Sequence, residues 1–599
     1  MRYILVVFIL CFVSVISSGS GRKFFSESSE ECDSTYITPA LGEIRSVPPR
    51  KGHKPPDSAA SAMAVRQLLD KLEPGGPSGR VQVGYTLAIP VLSLYKSIGK
   101  AWEFDDGALE FYLDVIRQVE RPIVVVLLSN HFSGASSLAK YLMTKPGNMA
   151  LLSDGRMPGS QYYGMTITPF TLSANPDLEV NRYRFAGMKK ALSALAKLDH
   201  DIPGRILAVT LGGETHQMFE NLQGNTGTFS NIPYADFSQS SLQDFRAWLR
   251  EKFRNLNELN SVAGSHFSVW EEVLPPGKDV RRDKLDGLYE HFDAYANGVL
   301  PVYGWVSPKE LVRRIEIRVD GRYAGDAEYG LNRQDVYEAR QDIAHANVGY
   351  RYDYDFRKLD PGIHILQVFV ERPSGKTLLS ETEFSVMDAT QAAPKASLWR
   401  ELRAKYARFG RQVGGVDGYA DAPRNMQDVY YNPYAELWSD FRKLQVAGLV
   451  NAYAGLAKSA GFDMEKAFSH QILAWWNGAW NDVLFATGDT PQSISALKTG
   501  LSLYGGLTIN EGALRKHSRG PGYGVPEFNP QVLHSQAESD AALAFHVRHC
   551  ARFVSPYFFM LVAPSDIPTD KHSLLLISDN ALSPNGRYMY QSIIDMAKR

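Results

Sequence analysis

Three observations predict an α/β chain: a (β/α)8 TIM barrel interrupted by an inserted all-β, Ig-like sandwich. Short apolar runs alternate with longer segments of helical period, which is the text of β/α units and a parallel sheet. Four such runs precede residue 300 and four follow residue 393. Between them, over 301–392, the period drops to two, as in strands that bury one face.

Taken in order, Met1-Arg2, the apolar run Ile4 to Ile16 and Ser17-Ser18-Gly19-Ser20-Gly21 form the pattern of an export signal over 1–21. The run is short for a membrane span, and no stable span is expected once the signal is removed. Residues 22–79 are rich in Ser, Pro, Gly and basic side chains and read as a linker, with a short helix over Ala59 to Leu72. The first part of the barrel, 80–300, holds strands one to four at Val81–Leu87, Pro122–Leu128, Met165–Phe170 and Arg205–Leu211. The second of these has no polar side chain, so both its faces must be covered. Helices are expected over Leu109–Val119, Leu178–Leu198 and Leu242–Phe253. In the inserted sandwich, Arg314–Val319 closes on the turn pair Asp320-Gly321, and Tyr350–Phe356 and Gly362–Val370 also alternate. The second part of the barrel, 393–599, begins with helical text at Leu398–Phe409 and Tyr434–Ala460, the latter ending at Gly461. Strands five to eight follow at Ala467–Leu473, Gly506–Asn510, Tyr523–Phe528 and Tyr557–Val562, with helices over Ser535–Val554 and Met589–Lys598.

Composition narrows the chemistry. With 64 Lys+Arg against 65 Asp+Glu the formal charge is −1, which gives no long-range attraction to phosphate backbones and argues against a nucleic-acid partner. The 30 Tyr and 9 Trp suit stacking on the apolar faces of sugars. Loss of the signal leaves Cys32 and Cys550, so an exported (periplasmic or extracellular) chain would hold at most one disulfide. No cofactor or metal is expected: phosphate loops, dinucleotide fingerprints, zinc-spaced Cys/His and calcium loops are all missing from the sequence. The stretch Asn130-His131-Phe132-Ser133-Gly134 lacks the first Gly of a serine nucleophile elbow. Oligomeric state is not written in the sequence.

Catalytic groups of such a barrel come from the C-terminal ends of its strands. The carboxylates placed there are Glu214, Asp482, Glu511 and Glu527. Cleaving a glycosidic bond needs two carboxyl groups flanking it, one protonated and one ionised, and Glu214 with Glu527 is the predicted pair. The loop after strand five is the densest aromatic text in the chain, so Trp475, Trp476 and Trp480 are expected to stack on sugar rings and Asp482 to bind hydroxyls. Glu511 is expected as a substrate contact, while His470 and His364 read as hydrogen-bonded structural histidines.

Gly212-Gly213-Glu214 and Val525-Pro526-Glu527-Phe528-Asn529 resemble the acid/base and nucleophile positions of retaining glycoside hydrolases of clan A. The helix text Asp244–Phe253, with Leu256-Asn257-Glu258-Leu259-Asn260 and Trp270, is similar to the region after strand four in the family 42 β-galactosidase-like enzymes, and Ser469-His470-Gln471-Ile472 is similar to a later strand of theirs. The resemblance covers most of 80–290 and 395–570. It implies an O-glycosyl hydrolase cleaving a β-linked oligo- or polysaccharide by double displacement, with Glu527 attacking the anomeric carbon and Glu214 acting first as acid, then as base. One residue departs from the pattern. The clan carries Asn before the acid/base Glu to hold the sugar 2-hydroxyl, and this chain carries Gly213, so His216, Asn130 or His131 is expected to supply that contact. The same departure leaves open a non-catalytic carbohydrate-binding or cell-envelope interaction protein, or an inverting or transglycosylating barrel.

Overall fold

The apolar runs form parallel strands. The computed structural model describes residues 32–42, 44–46, 57–130, 136–159, 161–162, 165–221, 232–340, 342–343, 346–388, 416–423, 427–473, 482–488, 496–504, 514, 516–530, 533, 535–557, 559–560 and 584–598. Eight parallel stretches are designated β1 (Thr35–Ile37 and Ala40–Gly42), β2 (Val81–Val83 and Tyr85–Pro90), β3 (Ile123–Leu128), β4 (Ile206–Gly212), β5 (Ala467–Phe468 and Gln471–Ile472), β6 (Leu501–Tyr504), β7 (Gly524–Asn529) and β8 (Phe553–Pro556 and Phe559–Met560). Each pairs with the next in parallel, from β1 through β8. β8 pairs in turn with β1, Tyr36 lying opposite Phe553 and Leu41 opposite Phe559. This order is consistent with a (β/α)8 barrel. The chemistry of the strands explains their place: all seven residues of β4 are buried, as are the first five of β3, which only covered faces allow.

Two strand assignments from the sequence are corrected. β1 lies inside 22–79, read above as linker; its two three-residue pieces flank Pro39 and are too short to show a period. Met165–Phe170 is not a strand of this sheet: only Met165–Thr166 is extended, antiparallel to Gln161–Tyr162. The errors offset, so Glu214 still follows the fourth strand. Gly506–Asn510 lies outside the described residues, and β6 occupies the four residues Leu501–Tyr504 before it. β8 starts at Phe553 because the preceding helix stops at Arg548, followed by Cys550 in the left-handed region at φ 55°.

Helices connect the strands at Ser58–Leu72, Asp106–Gln118, Glu179–Asp201, Gln239–Lys252, Pro433–Ser459, Gln536–Arg548 and Pro584–Ala597. Their starts follow capping chemistry: the side chains of Asp57, Ser238, Asn432 and Ser535 each accept from backbone N–H groups of the first turn. The long helix Pro433–Ser459 buries Tyr434, Trp438 and Phe441 against Phe245, Leu249 and Phe485, a cluster that ties it to the loops following β4 and β5. Helix text at Leu398–Phe409 falls outside the described residues.

The inserted all-β unit is an eight-stranded sheet in two halves that share one strand. Its strand Arg322–Leu331 pairs with Arg314–Val319 along one part and with Gly349–Asp355 along the other, so both halves share it. The halves bury one core containing Val302, Val306, Ile317, Val368 and Phe384. The sheet also runs past 392, taking in Gly418–Ala422 and Gln427–Val429. Cys32 and Cys550 form a disulfide, with Cα atoms 5.4 Å apart, linking the chain just before β1 to the chain just before β8. Among the described residues no helix is long and apolar enough to cross a membrane.

Candidate active site

β4 ends in two glycines in the left-handed region, Gly212 at φ 89° and Gly213 at φ 75°, and the next residue is Glu214. A Cβ on Gly213 would lie 2.6 Å from Leu128 Cδ2, so any side chain there requires the end of the partly buried Leu128 to shift. β7 carries Glu527, β6 ends on Tyr504, and His470 sits between the two pieces of β5. Strand pairing brings these four ends together.

Tyr504 joins the predicted pair. Its hydroxyl lies 2.5 Å from Glu214 Oε1 and 2.5 Å from Glu527 Oε2. It has one proton and two carboxylates to serve, so a second proton must be held by the pair whenever both contacts are satisfied as hydrogen bonds. Glu214 is buried, while the Glu527 side chain keeps 23% of its surface open. Burial pushes the Glu214 carboxyl above its ordinary range, against hydrogen bonds that include Tyr504's. Burial and then the Glu214 charge push Glu527 well above it. Like charges this close cannot both ionise cheaply, so the two titrate as one unit with a retained proton. Tyr557, next to the first piece of β8, also feels both carboxylates: burial first and then their charges raise its phenol.

His470 completes the cluster. Its Nδ1 lies 3.3 Å from Thr210 Oγ1 on β4, and its Nε2 lies 3.7 Å from Glu527 Oε1 with no hydrogen-bond partner among the described residues. Burial lowers its pKa to about 3, so it is a neutral imidazole. One donor atom each from Glu214, Glu527 and His470 lies within 4.8 Å of the others, a set able to hold a divalent cation.

The remaining predicted residues are placed differently. Asn130, at the end of β3, is buried; its amide donates to Thr215 Oγ1 and its carbonyl accepts from Tyr453 at 3.2 Å, so it supports the residue after Glu214. His216 is buried, stacks on Phe485 with ring centroids 4.3 Å apart and has Nδ1 3.0 Å from the Gln217 carbonyl. Burial lowers its pKa to about 4. Asp482, expected on substrate, instead faces Arg351 at 3.3 Å and Lys443 at 3.7 Å. Trp475, Trp476, Trp480, Glu511 and His131 lie outside the described residues. A cavity of about 330 Å³, lined by Asp154, Tyr234, Asp279, Phe292 and Leu484 among others, includes none of the predicted site residues that are described.

Sequence reasoning missed Tyr504 because it set the sixth strand too late; the alternation Leu501-Ser502-Leu503-Tyr504 before Gly505-Gly506 was the available signal. His470 was read as structural, and nothing in the sequence says that its ring faces Glu527.

Compared with protein-family models the chain matches none, and it matches no curated protein. Among solved structures it is similar to the catalytic domain of beta-amylase from Paenibacillus polymyxa, with 9% identity and a TM-score of 0.47 over 95% of this chain and 100% of that one.

Proposed function

We propose that the eight paired strands close into a (β/α)8 barrel whose Glu214–Glu527 pair hydrolyses a β-linked glycoside with retention, in an exported protein. The observation that carries this reading is the spacing of the pair: carboxylate oxygens within 4.8 Å of one another and a single tyrosine hydroxyl spanning both. Direct attack on the anomeric carbon calls for carboxyl groups about 5–5.5 Å apart, whereas a water-inserting, inverting pair needs about 6.5–9.5 Å. The family 42 likeness rests on the sequence motifs alone. Export is supported by the apolar run Ile4 to Ile16 and by the Cys32–Cys550 disulfide, which suits an oxidising compartment.

In this mechanism Glu527, the more open of the two, is the nucleophile. Glu527 is the more strongly raised of the two in the free site, so the one proton the pair retains has to stand on Glu214 when substrate reacts; it leaves with the glycosidic oxygen, and Glu214 then takes one from water to release the glycosyl-enzyme. Tyr504 orients both carboxyls and, as the ester forms at Glu527, is left donating to Glu214. A neutral His470 adds no positive charge that would drain basicity from Glu527. Hydrolysis of a panel of aryl glycosides tests the reading: turnover by the native chain, abolished in Glu214→Gln and in Glu527→Gln. Binding without turnover would favour a carbohydrate-binding protein instead.

A second reading has one observation in its favour, the convergence of His470 Nε2, which lacks a hydrogen-bond partner among the described residues, with the two carboxylates. Those three donors would suit a hydrolase that activates water on a divalent cation. Activity that survives exhaustive chelation supports the glycosidase mechanism; activity lost to chelation and restored by Zn²⁺ or Mn²⁺ supports the metal.

A further inference from the structure

The inserted sheet touches the barrel where the candidate site is built. Arg351 lies on its strand Gly349–Asp355, paired across to Tyr303 on one side and Glu328 on the other. Its side chain is 5% exposed, with Nε donating to Asp353 at 2.8 Å and Nη2 donating to Asp482 Oδ1 at 3.3 Å. Asp482 opens the described segment 482–488 that follows β5. Lys443, on the helix Pro433–Ser459, approaches its other oxygen at 3.7 Å. Burial alone would raise the Asp482 carboxyl, yet the charges of Lys443, Arg351 and Lys516 hold it below its ordinary range.

From Asp482 the segment is fixed residue by residue. The buried Arg442 donates to the carbonyls of Val483, Leu484 (2.8 Å) and, across the gap, Ala235 (2.6 Å). Phe485 is the face on which His216 stacks. The Ala486 carbonyl accepts from Gln217 N at 2.8 Å, and Thr487 bridges antiparallel to His216. Gly488 accepts from Gln471 of β5 at 2.5 Å. The two residues clasped here, His216 and Gln217, directly follow Glu214-Thr215. A continuous set of contacts thus runs from Arg351 to the turn that carries the candidate acid.

We propose that Arg351 is a positioning residue for the candidate site: through Asp482 it seats the 482–488 segment against His216 and Gln217 and so sets where Glu214 stands. The inserted sheet is then a working part of the site. A buried guanidinium is a costly way to pack two units together, since apolar side chains of similar volume often do as well or better, but an ion pair fixes register where apolar packing would let it slide. Small displacements of a reacting group cost rate steeply. The inference rests on the Glu214–Glu527 reading for its kinetic consequences and on the contacts alone for its structural ones.

Its test uses the full chain and three variants, Arg351→Met, Asp482→Asn and the double. On an aryl glycoside, each single variant should lose about tenfold or more in kcat/KM, mostly in kcat, with a displaced alkaline limb of the pH profile. The double should be no worse than either single, and Arg351→Lys should recover part of the loss. Acrylamide quenching of tryptophan fluorescence gives a second readout without substrate, because Trp475, Trp476 and Trp480 immediately precede Asp482 in sequence. Quenching should increase in both singles. If the native chain turns over no glycoside, the proposed function fails while quenching still reads the brace. Native quenching together with native kinetics in Asp482→Asn, which removes the contact at a partly open residue, would overturn the proposal. So would singles whose effects simply add in the double.

Discussion

At Gly213 the backbone and the opposite side chain decide together what can stand before the candidate acid. The left-handed φ disfavours most residues with a Cβ by about 1–2 kcal/mol, asparagine less than others, and Leu128 Cδ2 would lie 2.6 Å from the added Cβ. A side chain here should therefore harm the protein: Gly213→Asn is expected to lower both the melting temperature and kcat/KM, and a gain in either would show that the turn can relax. The glutamate pair pulls stability and activity in opposite directions. Unfolded glutamates titrate near about 4.3, and both carboxyls are raised above that in the fold. The folded chain thus retains protons that the unfolded chain has released. Their stabilising contribution is complete below about pH 4 and is lost as pH rises through the folded values. Glu527→Gln should accordingly melt higher than the native chain at pH 7 and equally at pH 4, as measured by calorimetry at both; a variant that is less stable at pH 7 would contradict the raised titration. Tyr504→Phe removes the one hydrogen bond the phenol can donate to an ionised carboxylate, worth about 1.5–3 kcal/mol, so a fall in kcat of roughly tenfold to a hundredfold is expected in steady-state assays. That Glu214 and Glu527 meet was legible because both stand at the C-terminal ends of parallel strands. Tyr504 was not, since its role depends on where a four-residue strand stops.

Elements were legible in proportion to their length. Helices such as Glu179–Asp201 and Pro433–Ser459 repeat their apolar stripe several times, and their sequence-derived limits lie within a few residues of the observed ones. Strands of three or four residues, as in β1 and β6, repeat nothing; their burial comes from neighbours far away in sequence, which no local pattern encodes. The long helix owes its start to Asn432. That side chain accepts from Tyr434 N at 3.0 Å and donates to the His291 carbonyl at 2.7 Å, joining the helix to the segment before the inserted sheet. Asn432→Ala should cost about 1–2 kcal/mol in denaturant unfolding. A cost near zero would mean that packing of Trp438 and Phe441 alone sets the helix.

For the whole molecule the first and last strands are neighbours, so the order of strands closes on itself only if the chain's two ends are brought together. The Cys32–Cys550 disulfide does this covalently, beside the Tyr36–Phe553 pairing. Cross-links that close long stretches of chain typically add about 2–4 kcal/mol, so Cys550→Ser should lower stability by that order in urea unfolding, and an unchanged midpoint would show that the strand pairing holds unaided. The sequence indicated eight strands for a partly mistaken reason, one counted in error and one missed, and it placed the inserted sheet but not its last two strands, which lie beyond a stretch of 389–415 outside the described residues. What it could not show was that this sheet reaches the 482–488 segment through Arg351, because that contact joins residues 131 positions apart. The central claim is that Glu214 and Glu527, held together by Tyr504, act by double displacement. The most direct measurement is the anomeric configuration of the first-formed sugar, followed by ¹H NMR during hydrolysis of an aryl β-glycoside: the β-anomer appearing first is the predicted result, and the α-anomer appearing first would contradict it.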